Sequence, residues 1–453
     1  MDRTAILTDS KYIRKTRELK LFSRLSVAFL FCLFVLPQYF GLPFPLFDLT
    51  ALRIVMILWL IFILGEKQSQ KQFIELIVKE PFSKVLIPYL IVLLYTMVLR
   101  VDFNALLNPL IELIGLYMLI YAIKYVLGIK KTMQYIIYFT YLLVFLGLVE
   151  YVIQTSPFAY LETIKGTYTG RFIRSGHYRI MGPAVHSLGY GLLLITVVPI
   201  ICYDMEKEEI NILRHKLLLL LVTINIFFTG SRSTLSIFLL ELLLLALFST
   251  KTNIKRLIII GSVFITAFTA VLVVFHNTSF VQGILLQLTS VIDELMGTTY
   301  SLKYGADMNA LVSSSNYREQ LKYIFQVDWL NPLLGIGRKN FFSCEINGTF
   351  IRSVDSFYIA EFTRYAYPGM VCFIIYLLYF LLRMIKKIRR KSQINTLLFI
   401  GSLCYCINLL WVDSLQTLKY LYILFAIFCC LPDNKDETTQ EYRRKKIISK
   451  YIL

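Results

Sequence analysis

Charged residues are scarce in this sequence. They make up 17% of its 453 residues, whereas 57% of the residues are hydrophobic. A water-soluble core of this length does not need so many apolar side chains. The composition therefore excludes an ordinary soluble globular protein and predicts that lipid surrounds most of the chain.

Several local signatures are also missing. The sequence has no Cys-x-x-Cys pair of the zinc-binding type, no glycine-rich nucleotide signature in its basic connections, and no small-residue cleavage site after its first apolar run. We therefore expect no metal, no cofactor and no cleaved signal peptide. The eight cysteines do not predict a disulfide framework, and Cys404 and Cys406 are expected to pack between helices.

Apolar segments of spanning length recur along the chain. A membrane-spanning helix needs about 20 mostly apolar residues, because it crosses about 30 Å of hydrocarbon with every backbone amide bonded internally. The sequence thus predicts an all-α, polytopic transmembrane bundle of about twelve spans. The predicted segments are residues 25–40, 49–64, 85–99, 106–123, 133–153, 183–203, 217–229, 234–248, 257–275, 367–382, 397–412 and 415–431.

Lysine and arginine alternate between the connections, as the positive-inside rule expects. The rule predicts cytoplasmic basic tails at 1–24 and 432–453, nine spans within 25–275 with an outer loop at about 154–182, a large outer loop at 276–366, and three last spans within 367–431. This topology accounts for most of the formal net charge of +18, so we expect no nucleic-acid partner.

The two long outer loops carry basic residues against that rule. Loops of this length on one side of a bundle usually carry binding or catalysis. Arginine suits phosphate because its planar fork is always charged, so the set predicts an anionic ligand. The basic residues are Lys165, Arg171, Arg174, Arg179, Arg318, Lys322, Arg338, Lys339 and Arg352.

Arg232 stands between two apolar runs, in Thr229-Gly230-Ser231-Arg232-Ser233. An arginine at such a boundary costs on the order of 3 kcal/mol and is rarely idle, although it can also reach the interface. For Arg53 and Glu112, near the outer ends of their spans, we expect ion pairs that pack helices.

The large loop contains two predicted helices. Residues 281–296 show an amphipathic stripe typical of an interfacial helix. Residues 316–326 form a second helix in which Arg318 and Lys322, four apart, share a face that could clamp a diphosphate.

Four motifs in order resemble the O-antigen polymerase and O-antigen ligase superfamily, of the Wzy and WaaL type. The resemblance covers about residues 171–382. The motifs are Arg179-x-x-Gly182; Thr229-Gly230-Ser231-Arg232-Ser233; Arg318 followed by Asn331-Pro332-x-x-Gly335-x-Gly337; and Asp355-Ser356-x-Tyr358 before Pro368-Gly369.

The resemblance implies a metal-independent glycosyltransferase of the GT-C class at the outer face of the cytoplasmic membrane. Its donor and acceptor would be oligosaccharides on undecaprenyl diphosphate, with a chain-length regulator and a flippase as further partners. The residues assigned to the diphosphate are Arg179, Arg232 and Arg318, with Lys322 and Arg174 beside them.

Asp355 stands where the ligases of the superfamily have a histidine, which favours a polymerase of O-antigen or capsule type. A carboxylate can deprotonate the acceptor hydroxyl, so Asp355 is the candidate base. It could instead cap a helix or pair with Arg352, and His177 or His186 could serve as the base. The alternatives are a ligase and a flippase for the same lipid-linked sugar; the latter is disfavoured because the charges lie at the outer surface rather than at the midplane.

Overall fold

The described residues of the computed structural model are mainly α-helical. They are residues 20–44, 47–168, 170–174, 177–306, 316–388, 393–413 and 415–432. Most of the two predicted basic tails therefore lies outside the described residues. The helices are α1 (20–34), α2 (Ala51–Gly65), α3 (Lys67–Lys79), α4 (Pro81–Arg100), α5 (Phe103–Tyr121), α6 (Ile129–Ile153), α7 (Ser187–Ile201), α8 (Lys216–Phe228), α9 (Arg232–Leu247), α10 (Lys251–Val274), α11 (Ser279–Met296), α12 (316–320), α13 (Phe357–Ile388), α14 (Gln393–Asn408) and α15 (Leu418–Cys429).

Shorter elements join these helices. A π-helical turn, Ala122–Leu127, continues α5, and 3₁₀ turns lie at Pro157–Leu161, Tyr300–Tyr304, Leu321–Gln326 and Leu415–Thr417. Eight short strands pair as antiparallel hairpins. They are β1 (Gly41–Leu42) with β2 (Leu49–Thr50), β3 (Ile173–Arg174) with β4 (His177–Tyr178), β5 (Tyr203–Asp204) with β6 (Glu209–Ile210), and β7 (Cys344–Ile346) with β8 (Thr349–Ile351).

Each of the twelve predicted segments overlaps a helix. Five helices are long and apolar enough to cross a membrane: α4, α5 with its π-helical turn, α6, α10 and α13. Shorter apolar helices include α2, α7, α8 and α15. The prediction of a mainly helical protein with several helices able to cross a membrane is therefore confirmed. The number of twelve spans stays a prediction.

Some boundaries differ from the prediction. Residues 35–40 are not helical, and α13 begins at Phe357, ten residues before the predicted start. Helix α3 lies in a region that was predicted as a connection. It is amphipathic, and it buries Phe73 and Leu76 while its lysines face outward.

Connections that were predicted on one side contact one another. At one end of the bundle, Lys124 bonds to Glu80, and the backbone N–H of Ile210 donates to Gln393. At the other end, Arg100 bonds to the large loop, as described below. This segregation fits α4, α5, α13 and α14 alternating in direction.

The large loop has a small core of its own. Leu321 and Ile324 of the 3₁₀ turn pack with Ile346, Ile351 and other apolar residues against Phe362 of α13. The loop is thus a folded unit seated on the first part of α13.

Helix α13 is broken at Ala366, whose φ of 58° is not helical. Pro368 has no N–H, so the carbonyl of Arg364 loses its helical donor. That carbonyl accepts from Gly337 N at 3.0 Å, and the carbonyl of Thr363 accepts from Ile336 N at 2.9 Å. The glycine-rich turn at 331–337 therefore satisfies the carbonyls that the break exposes.

Candidate anion-binding site

Arg179 lies on a loop that a buried carboxylate holds in place. Glu150, fully buried near the end of α6, accepts hydrogen bonds from Tyr178 Oη at 3.0 Å, Met181 N at 2.8 Å and Gly182 N at 3.0 Å. These donors flank Arg179 on both sides. Because three bonds converge on one buried side chain, the backbone around Arg179 has little freedom.

The Arg179 side chain is itself fixed. It is only 5% exposed, its Nε donates to the carbonyl of Thr229 at 2.6 Å, and its guanidinium carbon lies 4.9 Å from the ring centroid of Phe172. Gly230 has a φ of 59°, and a Cβ there would lie 3.0 Å from Arg179 Cγ. The glycine of the Thr229-Gly230-Ser231-Arg232 motif therefore allows the arginine to approach the turn closely.

Arg179 and Arg232 line one cavity of about 280 Å³. Arg232 is the first residue of α9, whose cap is Ser231, with its side-chain oxygen accepting from Thr234 N. The positive end of this helix dipole adds to the two guanidinium groups. Helix α11 forms the opposite wall through Gly283, Gln287 and others.

Arg318 does not belong to the described lining of that cavity. It lies in α12, and its charge acts on Asp355. Of the three arginines predicted to converge, the structure thus brings two together and places the third beside the predicted base.

Asp355 is partly buried just before α13. Ser353 Oγ donates to its Oδ1 at 3.0 Å. Burial raises the pKa of Asp355 above its ordinary value, the Ser353 bond and Arg318 oppose this rise, and Asp413 adds to it. Arg352, the predicted alternative partner, lies with its guanidinium carbon 5.3 Å from the ring centroid of Phe350.

The other predicted residues have different surroundings. Lys322 is exposed and bonds to Glu319 at 2.9 Å. It lies in the 3₁₀ turn, which has about three residues per turn, so it does not share the face of Arg318 as α-helical spacing predicted. The side chain of Arg174 lies outside the described residues.

The two histidines differ in what they can do. His177 lies on the cavity wall beside Gly283. His186 immediately precedes α7. Its Nδ1 accepts from Leu188 N at 3.2 Å, so the proton of the neutral ring is assigned to Nε2. In this state His186 is a donor rather than a base.

The sequence patterns do not predict a network of charged residues that lies near the start of α13. Arg338 pairs with Glu361 at 2.9 Å and bonds to Tyr365 at 2.7 Å, and Arg364 pairs with Asp413. Tyr89 of α4 also donates to Glu361, at 2.9 Å. This network ties the large loop, α4, α13 and the segment after α14 together.

Helix α15 carries a buried charged side chain, Lys419, that the sequence analysis did not single out. Lys419 is only 7% exposed, and it faces Glu112 and Arg53. A lysine within a predicted apolar span is itself a signal of function, because such a charge is costly there. The lysine within the predicted span 415–431 is therefore a sequence signal that points to this site.

The fold and this cavity define a helical protein with several helices that can cross a membrane and a cationic cavity between its loops. No protein-family model matches the sequence, and no curated protein matches it significantly.

Proposed function

We propose that this protein is a membrane glycosyltransferase that polymerises oligosaccharide repeat units carried on undecaprenyl diphosphate into a surface polysaccharide. The observation that carries the proposal is that Arg179 and Arg232, from two separate connections, line one cavity. Both arginines belong to motifs that resemble the polymerase and ligase superfamily.

The chemistry needs positive charge where the leaving group departs. When the glycosidic bond to the diphosphate breaks, the bridging oxygen gains negative charge, so fixed guanidinium groups aimed there stabilise the transition state. Arg179 suits this role because Thr229 and Phe172 hold it before substrate binds. Gln287 supports a sugar-binding role for the same cavity: its buried Oε1 accepts no hydrogen bond from the part of the chain that the structure describes.

The acceptor hydroxyl must lose a proton, and Asp355 is the proposed base. Burial makes its carboxylate more basic than an exposed one, which favours proton uptake. Its neighbour Arg318 is proposed to hold the acceptor and to keep Asp355 ionised. His186 is the weaker candidate because its Nδ1 already accepts a backbone N–H.

A ligase remains the alternative within the enzyme class, and a flippase is the alternative outside it. Asp355 in place of the ligase histidine favours a polymerase. The proposed site lies where connections meet at one end of the bundle, which suits transfer at a membrane face better than passage through the midplane. The proposed location is the outer face of the cytoplasmic membrane.

The test is reconstitution of the full chain in liposomes with a lipid-linked repeat unit and neither nucleotide nor metal. A polymerase yields a ladder of products that differ by one repeat unit. Movement of the substrate between leaflets without a ladder would identify a flippase, and transfer only to a separate acceptor would identify a ligase.

A further inference from the structure

A second cavity, distinct from the Arg179 cavity, lies among α2, α5 and the turn before α15. Its volume is about 190 Å³. A narrower pocket of about 30 Å³ shares three of its residues and extends to Lys419. The residues that line the larger cavity are Arg53, Asn108, Glu112, Arg338, Leu415 and Gln416.

The charged groups stand around this space rather than in contact with one another. Arg53 is held by the carbonyl of Asp48 at 2.8 Å and by Asn108 at 3.4 Å. In the described parts of the chain, neither Glu112 nor the ammonium of Lys419 forms a hydrogen bond or an ion pair, although their charges attract each other. The ion pairs predicted from the sequence for Arg53 and Glu112 are thus replaced by a cavity with charged walls.

Cations outnumber carboxylates on the walls. The lining of the two pockets contains Arg53, Arg338 and Lys419 as cationic side chains and Glu112 as the carboxylate. Part of this charge is offset outside the lining, because Arg338 pairs with Glu361 and the charge of the exposed Asp48 acts on Arg53. Cationic groups that face a cavity in such surroundings are costly, and a bound anion lowers that cost.

One side of the site is apolar. The narrower pocket is lined by Phe29 and Leu33 of α1, Met56 of α2 and Leu119 of α5. A free ion does not need such a wall, whereas an anion attached to a hydrocarbon chain does. Its amide side chains, Gln38, Asn108 and Gln416, can bond to oxygen atoms around the anion.

We infer that this cavity binds a phosphate group of single negative charge, carried as a phosphodiester by a membrane lipid. Arg53 and Lys419 hold the phosphate oxygens, and the wall formed by α1, α2 and α5 receives the adjoining hydrocarbon. The inference stands independently of the proposed polymerase activity, because it rests on other residues and predicts binding rather than turnover.

The experiment measures lipid binding to the purified, delipidated full chain by native mass spectrometry. The probes are dioleoyl phosphatidylglycerol, dioleoylglycerol, which lacks the phosphate, and inorganic phosphate. We expect phosphatidylglycerol to bind at least roughly tenfold more tightly than dioleoylglycerol. We expect Lys419→Gln to weaken phosphatidylglycerol roughly tenfold and Glu112→Gln to strengthen it, because the first removes and the second adds net positive charge.

The opposite effects of these two variants separate binding from packing. If Glu112 and Lys419 only stabilise the fold, both variants lower the melting temperature and leave lipid affinity unchanged, which overturns the inference. Equal affinity for phosphatidylglycerol and dioleoylglycerol also overturns it. If the binding of inorganic phosphate depends on Lys419 in the same way, and phosphatidylglycerol binds no more tightly than inorganic phosphate, then the assignment of the phosphate to a lipid is overturned.

Two further variants serve as controls for surface attraction and for the charge at position 419. Lys303→Gln removes an exposed charge from a 3₁₀ turn outside the cavity lining, so we expect unchanged affinity; a loss equal to that of Lys419→Gln would mean surface attraction only. Lys419→Arg keeps the charge and should retain binding. If Lys419→Gln fails to fold, Glu112→Gln and Lys419→Arg still test the inference, since a weaker affinity in Glu112→Gln contradicts it.

Discussion

Gly335 lies directly against the backbone of Arg364. A Cβ at position 335 would overlap the carbonyl group of Arg364, and the neighbouring N–H groups of Ile336 and Gly337 bond to the carbonyls of Thr363 and Arg364. Arg100 Nε donates to the carbonyl of Gly335 at 2.7 Å on the other side. The glycine-rich turn is thus enclosed between α4 and the break in α13.

This contact predicts that Gly335→Ala destabilises the protein. The added methyl group meets backbone rather than a flexible side chain, so the turn must move away from α13 and its two hydrogen bonds weaken. We expect a loss of about 2 kcal/mol or more in stability. The measurement is thermal unfolding in detergent. Gly261→Ala in α10 is the control because a Cβ there meets nothing within 4 Å; equal effects of the two substitutions would contradict the prediction.

The same region shows why one boundary could not be predicted from the sequence. The apolar run begins at Tyr367, because Glu361 and Arg364 interrupt the pattern before it. In the structure these residues are helical, and they face Arg338 and Asp413 rather than lipid. Hydropathy detects a helix that lipid surrounds, but it does not detect one whose polar groups find partners inside the protein.

The candidate site was partly predictable for a related reason. Arg232 stands out in the sequence because arginine beside apolar runs is costly, and Arg179 stands out because it is a basic residue in a long outer loop. The structure brings both to one cavity. Their meeting depends on Glu150 and Thr229, whose hydrogen bonds no periodicity reveals. The pairing of Arg338 with Glu361 across 23 residues was equally hidden.

The proposed role of Arg179 predicts that charge alone is not sufficient. Arg179→Lys keeps the positive charge but loses the planar fork and the bond to Thr229, so we expect product formation to fall by roughly two orders of magnitude. The measurement is the initial rate of ladder formation in proteoliposomes. Arg256→Lys, at an exposed position of α10, is the control. A normal rate in Arg179→Lys would remove this residue from the proposed mechanism.

The assignment of Asp355 as the base predicts that the rate of ladder formation depends on pH. A base acts only when ionised, so the rate should rise with pH through the pKa of Asp355 and then level off. Because burial raises that pKa, this rise should lie above the ordinary carboxyl range. In Asp355→Asn we expect a low rate without this rise. The measurement is the pH–rate profile, and a near-normal rate in Asp355→Asn would exclude the base assignment.

The position of Arg318 beside Asp355 predicts that removing its charge shifts the same pH–rate profile. Its charge lowers the pKa of Asp355, so Arg318→Gln should raise that pKa and move the acidic limb to higher pH. Arg352→Gln is the matched control in the same loop, because that guanidinium lies over Phe350. Equal shifts in the two variants would indicate a general surface field rather than a specific neighbour.

Glu150 predicts a coupled loss of stability and function. Glu150→Ala leaves the N–H groups of Met181 and Gly182 and the hydroxyl of Tyr178 without their acceptor, and buried donors without a partner cost about 1–3 kcal/mol each. We expect a stability loss on the order of 3 kcal/mol and a reduced rate of ladder formation, because the loop that carries Arg179 loses its anchor.

Two control variants accompany this test. Glu150→Gln retains an acceptor oxygen and should recover part of both the stability and the rate, whereas Glu345→Gln, at an exposed position of β7, should change neither. Since Glu150 acts through Arg179, combining Glu150→Ala with Arg179→Lys should lower the rate little beyond the more damaging single variant. Multiplied rate losses in the double variant would show that Glu150 acts by another route.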